Sequence, residues 1–209
     1  YSFDQPNPYY DNGVNHINST NYNSVVASSG SVNQGIRFTT TSAYFQMYSF
    51  YQFSIYNSKS WTFAIWICPT SVAAGIIVHM ASSSSGCCYY QDVLFLTYGG
   101  QIATQVYCSS LGTYPGFYGP VFSINTWTDV ASTFSATNGL TLHVNGASVG
   151  STAISTYQIS SVPMYATLGY GFGYCEAYVP CVGYQGGMDE FYAYRRELSA
   201  SEIYSLASA

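Results

Sequence analysis

Charge is what this sequence has least of. Asp, Glu, Lys and Arg together make up 6% of its 209 residues, against roughly 25% in ordinary soluble domains. The four basic residues are Arg37, Lys59, Arg195 and Arg196. They are too few and too scattered to build the cationic face that phosphate backbones require, which excludes nucleic acid as a partner. Long apolar runs are missing as well. A membrane helix needs about 20 consecutive apolar residues. The longest candidate, Ala73–Ala81, is much shorter and carries Gly75 and His79. No Cys-x-x-Cys and no Cys/His pair has zinc spacing, so a structural zinc site is not expected.

Aromatic residues are plentiful. They make up 18% of the chain and include 23 tyrosines, within a hydrophobic share of 48%. These residue types fit pleated sheets. With so little charge, the polar surface must come from Ser, Thr, Asn, Gln, Gly and Tyr. Charge normally keeps a surface dispersed, so this one is expected either to be covered by neighbouring subunits or glycan, or to be the neutral, hydroxyl-rich coat of a secreted protein.

The six cysteines are Cys68, Cys87, Cys88, Cys108, Cys175 and Cys181. An even count in such a chain points to three disulfides and an extracellular, oxidising compartment. Cys175 and Cys181 flank a short loop that they can close. Cys87 and Cys88 are adjacent. If extended, they point to opposite faces and need different partners, Cys68 and Cys108 being available. The sequence does not fix that connectivity. Asn18-Ser19-Thr20 is a glycosylation sequon in a polar segment, making Asn18 the expected acceptor. The chain opens at Tyr1 with neither Met nor an apolar leader, as expected after removal of a secretory signal.

Residues 1–34 are polar and rich in turn formers, and read as a long loop after a short edge strand at Tyr1–Phe3. From Gly35 onward the texture is that of strands: 35–39, 43–48, 60–68, 75–81, 92–98, 101–108, 127–135, 140–145, 164–170 and 187–194. Asn138-Gly139 and Asn145-Gly146 are tight-turn signals. In the segment between them, Leu140, Leu142 and Val144 share one face and Thr141 and His143 the other. His143 is therefore expected to be solvated. Ser199-Ala-Ser-Glu202 is a capping box that opens a short helix over 199–207. Many short strands and one terminal helix predict an all-β, two-sheet antiparallel sandwich, or jelly roll, as a single domain over 1–209.

Four segments, in order, resemble the laminin-G-like, concanavalin-A-like domains. They are Gly35-Ile-Arg-Phe38 with Ala43-Tyr-Phe45; Ser60-Trp-Thr-Phe-Ala-Ile-Trp-Ile-Cys-Pro69; Trp127-Thr-Asp-Val-Ala131 leading into Leu140-Thr-Leu-His-Val-Asn-Gly146; and Gly187-Met-Asp-Glu-Phe191 through Tyr194-Arg-Arg-Glu-Leu-Ser-Ala-Ser-Glu-Ile203. Together they span residues 35–206. The resemblance implies a jelly roll serving adhesion, glycan binding or matrix assembly, often with calcium. Fold alone does not choose among these.

An enzyme of this fold would be a glycosidase, which needs two carboxylates flanking the scissile bond. Glucanases of this fold present theirs as E-x-D-x-E on one strand. Glu176, Glu190, Glu197 and Glu202 form no such pattern, so catalysis is not expected. By strand alternation Asp189 shares a face with the core-like Phe191 and Ala193, where a carboxylate must be hydrogen-bonded, paired or metal-bound. Asp189 with Asp11, Asn12 and Asn15 is thus the candidate calcium site, since calcium takes oxygen ligands of these kinds. The competing reading is that Asp189 accepts backbone hydrogen bonds at a strand end. Trp61 and Trp127 read as core. Trp66 lies on the opposite face from Trp61 and is a candidate to line a sugar-stacking groove. Tyr89, Tyr90, Tyr114, Phe117 and Tyr118 sit in Gly/Ser-rich stretches and suit either sugar stacking or a protein interface.

Two functions follow. The first is a non-enzymatic extracellular structural or interaction module, a subunit of a matrix or filament that self-associates or joins other extracellular proteins. One version has the N-terminal segment add a strand to a neighbour's sheet. The alternative is a calcium-dependent glycan-binding adhesion module.

Overall fold

The structure, a computed structural model, describes residues 1–51, 59–71, 73–160, 162–176 and 179–208, with the side chains of 24–28 outside that description. Fourteen strands and one helix are assigned: β1 (Ser19–Tyr22), β2 (Ser24–Ser29), β3 (Gln34–Phe38), β4 (Tyr44–Phe50), β5 (Trp61–Pro69), β6 (Gly75–Ala81), β7 (Gln91–Leu96), β8 (Gln101–Gln105), β9 (Gly116–Val121), β10 (Thr128–Ser135), β11 (Gly139–Val144), β12 (Ala147–Thr152), β13 (Met164–Leu168), β14 (Gly186–Tyr194) and α1 (Ala200–Leu206). They form two seven-stranded sheets, β1-β4-β13-β6-β7-β8-β9 and β12-β11-β10-β5-β14-β3-β2. Every pairing between named strands is antiparallel. This is the expected jelly-roll sandwich.

The ten predicted strands are all present, with boundaries shifted by a few residues. Four strands were not predicted: β1, β2, β9 and β12. They are the four sheet edges. An edge strand is half-paired and only partly buried, so it need not show apolar alternation. β9 even holds Pro120, which an edge tolerates because no inner neighbour needs its missing N–H. The long-loop reading of residues 1–34 fails for this reason over β1 and β2. Tyr1–Phe3 is not an assigned strand. Tyr1 exchanges both backbone hydrogen bonds with Phe191, and Tyr1 and Phe3 lie in the core beside Phe45. That segment is used within its own chain, which removes the basis for its adding a strand to a neighbour.

The core lies between the sheets, where Trp61, Phe63, Ile65 and Ile67 of β5 meet Phe45, Met47, Val78, Met80, Leu94 and Ile102. Trp61 packs on Phe134, with ring centroids 6.2 Å apart, and on Tyr157. The β11–β12 turn has Asn145 at φ 49° and Gly146 at φ 76°. Two successive left-handed residues give the twist that a tight hairpin needs, and Asn-Gly reaches it at least cost. His143 is buried rather than solvated. It meets Thr133 of β10 at 3.3 Å, and burial lowers its pKa.

Helix α1 docks on the outer face of the second sheet. Ile203 and Leu198 pack on Ala64 of β5 and Ala131 of β10, flanked by Tyr192, Tyr194 and Leu206. The capping box forms: Ser199 Oγ accepts from Glu202 N–H, and the Glu202 carboxylate accepts from Ser199 N–H. Among the described residues no helix is long and apolar enough to cross a membrane.

Candidate functional site

The outer face of the first sheet carries a row of polar side chains running across four strands. Register places Gln46 of β4 opposite Thr167 of β13, Thr167 opposite His79 of β6, and His79 opposite Asp92 of β7. Gln46 Nε2 donates to Thr167 Oγ1 at 2.9 Å. His79 Nδ1 meets Asp92 Oδ1 at 2.8 Å, and His79 Nε2 meets the Gly86 carbonyl at 2.9 Å. Both ring nitrogens thus face oxygen acceptors, which locks the ring in place. β6 is otherwise an apolar run, Gly75-Ile-Ile-Val-His-Met-Ala81, and in β7 Gln91 and Asp92 precede the apolar Val93-Leu-Phe-Leu96.

The segment closed by the Cys175–Cys181 disulfide lies over this row. Val179 and Cys175 pack on Ile76, Phe95 and Ala103. Glu176 turns inward: its Oε2 accepts from Asp92 N–H at 2.9 Å and from Gln105 Nε2 at 3.3 Å, while Glu176 N–H donates to Asp92 Oδ2 at 3.4 Å. Burial, then the neighbouring Asp92, pushes the Glu176 carboxyl up to about 9. Among the described residues its Oε1 has no hydrogen-bond partner. Asp92 is 0% and Glu176 5% exposed. A glycosidase pair must reach the scissile oxygen and the anomeric carbon. These acids instead fasten a loop to a sheet.

Around this floor stands a band of aromatic rings. Tyr90 stacks on His79 with centroids 5.9 Å apart, and Tyr174 lies 5.7 Å from Tyr90. Tyr114 packs on Tyr107 at 5.1 Å. Burial, followed by Glu176, Tyr90, Tyr107 and Asp92, pushes the Tyr114 phenol up to about 12. On the other flank Tyr22 stacks on Tyr44 at 5.1 Å, Tyr44 meets Phe172 at 4.8 Å, and Tyr170 meets Phe172 at 5.1 Å. Tyr22 is 51% and Tyr174 41% exposed. Such rings offer flat apolar faces with polar tips.

The candidates named from sequence are divided by the fold. Tyr89 is 69% exposed, and it neighbours Tyr90 in the β6–β7 connection. Tyr90 and Tyr114 belong to the band. Tyr118 is exposed on edge strand β9, opposite Ala103. Phe117 turns the other way and packs on the main core. Trp66 lies on the outer face of the other sheet, between Asp129 of β10 and Asp189 of β14. Its Nε1 and Asp129 Oδ1 are buried without partners among the described residues, and burial raises the Asp129 carboxyl to about 7.

Asp189 does not share a face with Phe191. A bulge between Asp189 and Tyr192, with Glu190 at φ 49°, resets the alternation. Asp189 points outward under the β2–β3 turn, accepting from Val32 N–H at 3.0 Å and Glu190 N–H at 2.8 Å. Phe191 stacks on core Phe63. Asp11, Asn12 and Asn15 line a separate cleft of about 1030 Å³ with Glu190, Tyr192 and Arg195, which Asp189 does not line. The Asp11 oxygens accept from Gly13 N–H at 2.9 Å and Ile17 N–H at 2.7 Å. Each carboxylate is committed to its own loop, and among the described residues no three His, Cys, Asp or Glu side chains group as a metal cage. The four residues do not fit a shared calcium site. Asn18 is exposed just before β1.

Of the cysteines, Cys175 and Cys181 pair as expected, whereas Cys68, Cys87, Cys88 and Cys108 carry no assigned disulfide, so one bridge stands where three were expected. Cys88 is not extended but left-handed, at φ 67°, so Cys87 and Cys88 do not point to opposite faces. The histidine–acid floor and the rings Tyr22, Tyr44, Tyr107, Tyr170, Phe172 and Tyr174 were not foreseen. The available signal was His79 interrupting an otherwise apolar strand, with Asp92 at the head of the next one.

In fold, the chain is similar to domain 4 of AbnA, a GH43 extracellular arabinanase from Geobacillus stearothermophilus, solved in complex with arabinotriose. That match has 15% identity and a TM-score of 0.70, covering 99% of this chain and 96% of the other. It is also similar to the ligand-binding domain of botulinum neurotoxin serotype D in complex with N-acetylneuraminic acid, at 13% identity and a TM-score of 0.66, covering 95% of this chain. The chain spans about half of that domain, 47%. A heptameric pentraxin from Limulus polyphemus matches at 14% identity and a TM-score of 0.54, covering 78% of this chain and 75% of the other. No curated protein matches the chain in sequence. A family profile does match, over residues 38–204, and those residues hold both sheets' inner strands apart from β3, which Phe38 closes, together with most of the helix. The chain belongs to the concanavalin A-like lectin/glucanase superfamily.

Proposed function

We propose that this chain is a non-catalytic carbohydrate-binding module whose ligand lies along the tyrosine band on the outer face of the first sheet. The observation that carries this reading is the band itself: rings held by stacking on one another and on His79, several left partly open to solvent. Rings fixed in advance lose little freedom when a sugar stacks on them, and phenol tips supply hydroxyl contacts.

The ligand is a neutral oligosaccharide. None of the four basic residues belongs to the band, so it offers no cation to pair with an anionic sugar. The arabinotriose bound by the arabinanase domain is of that neutral class. The role would place the chain outside the cell, where a disulfide such as Cys175–Cys181 persists. The test is calorimetric titration with neutral pentose and hexose oligomers, beside a sialylated one. Binding of a neutral oligomer that is lost in Tyr90→Ala/Tyr174→Ala supports the proposal. No heat with any neutral sugar at millimolar concentration sinks it.

Assembly is the second reading, favoured by the charge-poor surface. It would use the same exposed rings. Sedimentation velocity separates the two: particles that fall apart in Tyr22→Ser/Tyr174→Ser make the band an interface.

A further inference from the structure

The connection between β6 and β7 holds Cys87 and Cys88, and their sulfurs lie 2.6 Å apart. That is closer to the roughly 2.0 Å of a disulfide bond than to the roughly 3.5–4.0 Å at which unbonded heavy atoms rest. No other cysteine competes. Cys108 Sγ sits among the hydroxyls of Ser110 and Thr156. Cys68 lies on β5 opposite Gly187. We propose that Cys87 and Cys88 are joined to each other as a vicinal disulfide that fixes the wall of the tyrosine-lined face.

The backbone around the pair is already shaped for such a ring. Cys88 and Tyr89 are consecutive left-handed residues, at φ 67° and 47°, a conformation that L-residues adopt only where their surroundings hold it. Ser82 donates to the Cys88 carbonyl through both its N–H, at 3.0 Å, and its hydroxyl. Ser85 Oγ donates to Cys87 Sγ at 3.4 Å. The hydrogen bonds from Cys88 and Ser85 lower the pKa of Cys87, which favours its thiolate. The same face already carries one disulfide, Cys175–Cys181.

Closure is a thiol–disulfide exchange with a low-molecular-weight disulfide. The Cys87 thiolate breaks the reagent's S–S bond and forms a mixed disulfide, releasing one thiol. Cys88 then attacks the Cys87 sulfur and releases the second. One S–S bond is lost and one gained, and the two protons leave on the released thiols.

The bond matters because of what the connection holds. The Gly86 carbonyl anchors His79, the ring on which Tyr90 stacks. Gly86 also lies against Phe172, where a Cβ would clash, so the connection joins the two flanks of the band. A closed ring limits the freedom of this backbone and keeps Tyr89 and Tyr90 in place. The covalent bond stands without the carbohydrate reading, whereas its effect on affinity rests on it.

The test starts with purified protein, unfolded in denaturant without reductant, alkylated, digested and weighed. The expected result is alkylation at Cys68 and Cys108 only, with the peptide spanning Cys87 and Cys88 unmodified and lighter by two hydrogens than its dithiol form. Alkylation of both Cys87 and Cys88, or a cross-link from either to Cys68 or Cys108, overturns the bond. In a C87S/C88S variant the intact chain is expected to be cleaved faster by protease within residues 82–90, and to bind a neutral oligosaccharide about tenfold more weakly where the parent protein binds one. Unchanged cleavage overturns the clamping role. A parent protein that binds no sugar but shows the lighter peptide and the faster cleavage leaves the ring standing and removes only the carbohydrate reading.

Discussion

The two outer faces of this sandwich are built from the same pleat and have opposite fates. The second sheet presents alanines at Ala64 and Ala131, and helix α1 settles onto them with Ile203 and Leu198. The first sheet presents His79, Asp92 and Thr167 as a buried polar floor and surrounds it with large rings. Small outward residues allow a helix to approach; large ones at the same pleat positions keep it away. The covered face uses its outward residues for stability, and the open face leaves rings exposed to solvent.

The sharpest way to break this contrast is to strip the covered face. Ile203→Ala removes buried apolar contacts at the helix seat and should cost about 2–4 kcal/mol, a fall in Tm of roughly 4–16 °C for a chain of this size. Thermal melts check this, and titration of the same variant should show unchanged sugar affinity. Equal losses in both would mean that the two faces are coupled. The floor of the open face is tested by pH. Glu176 holds its proton up to about 9 in the folded chain, against an ordinary value of 4.5. The folded state therefore binds more protons than the unfolded one across that range, and stability falls as pH rises from about 4.5 to about 9. Urea midpoints at pH 5 and pH 8.5 should show the acidic condition more stable by ~1 kcal/mol or more. Glu176→Gln, neutral at every pH, should flatten most of that slope. An unchanged slope would shift the effect to Asp129 and Asp189, whose raised carboxyls act in the same sense from about 3.8 to about 7.

Tyr90→Ala acts in the opposite way to the helix variant. It should weaken sugar binding about tenfold, ~1.4 kcal/mol, with Tm changed by only a few degrees. The smallest expected effect lies at Asp189. Its carboxylate pins the β2–β3 turn through Val32 N–H, so Asp189→Asn should cost about 1 kcal/mol, the worth of one hydrogen bond. A calcium chelator should leave the Tm of the parent chain where it is. A chelator-induced fall would restore a cation to that part of the molecule.

How the candidate site could be read from sequence follows the same division. Tyr90 and Tyr114 were legible as polar-tipped rings in loop-like stretches. Tyr22, Tyr44 and Tyr170 were not, because nothing in their local sequence says that β1, β4 and the β13 exit meet on one face. Trp66 looked equivalent to the others, but it lies on the opposite side of the molecule. Asp189 was misplaced by alternation, since a single extra residue at Glu190 shifts every later side chain to the other face.

By itself the sequence determined the inner strands, the terminal helix and its cap, and the neutral, ring-rich surface. Inner strands are paired on both sides and buried, and burial imposes a period that can be read residue by residue. Tertiary structure alone decided the four edge strands, the bulge at Glu190, the inward turn of Glu176 onto Asp92, and the meeting of Cys87 with Cys88. Each of these depends on partners distant in sequence or on a local backbone reversal, and neither leaves a periodic trace in the order of residues.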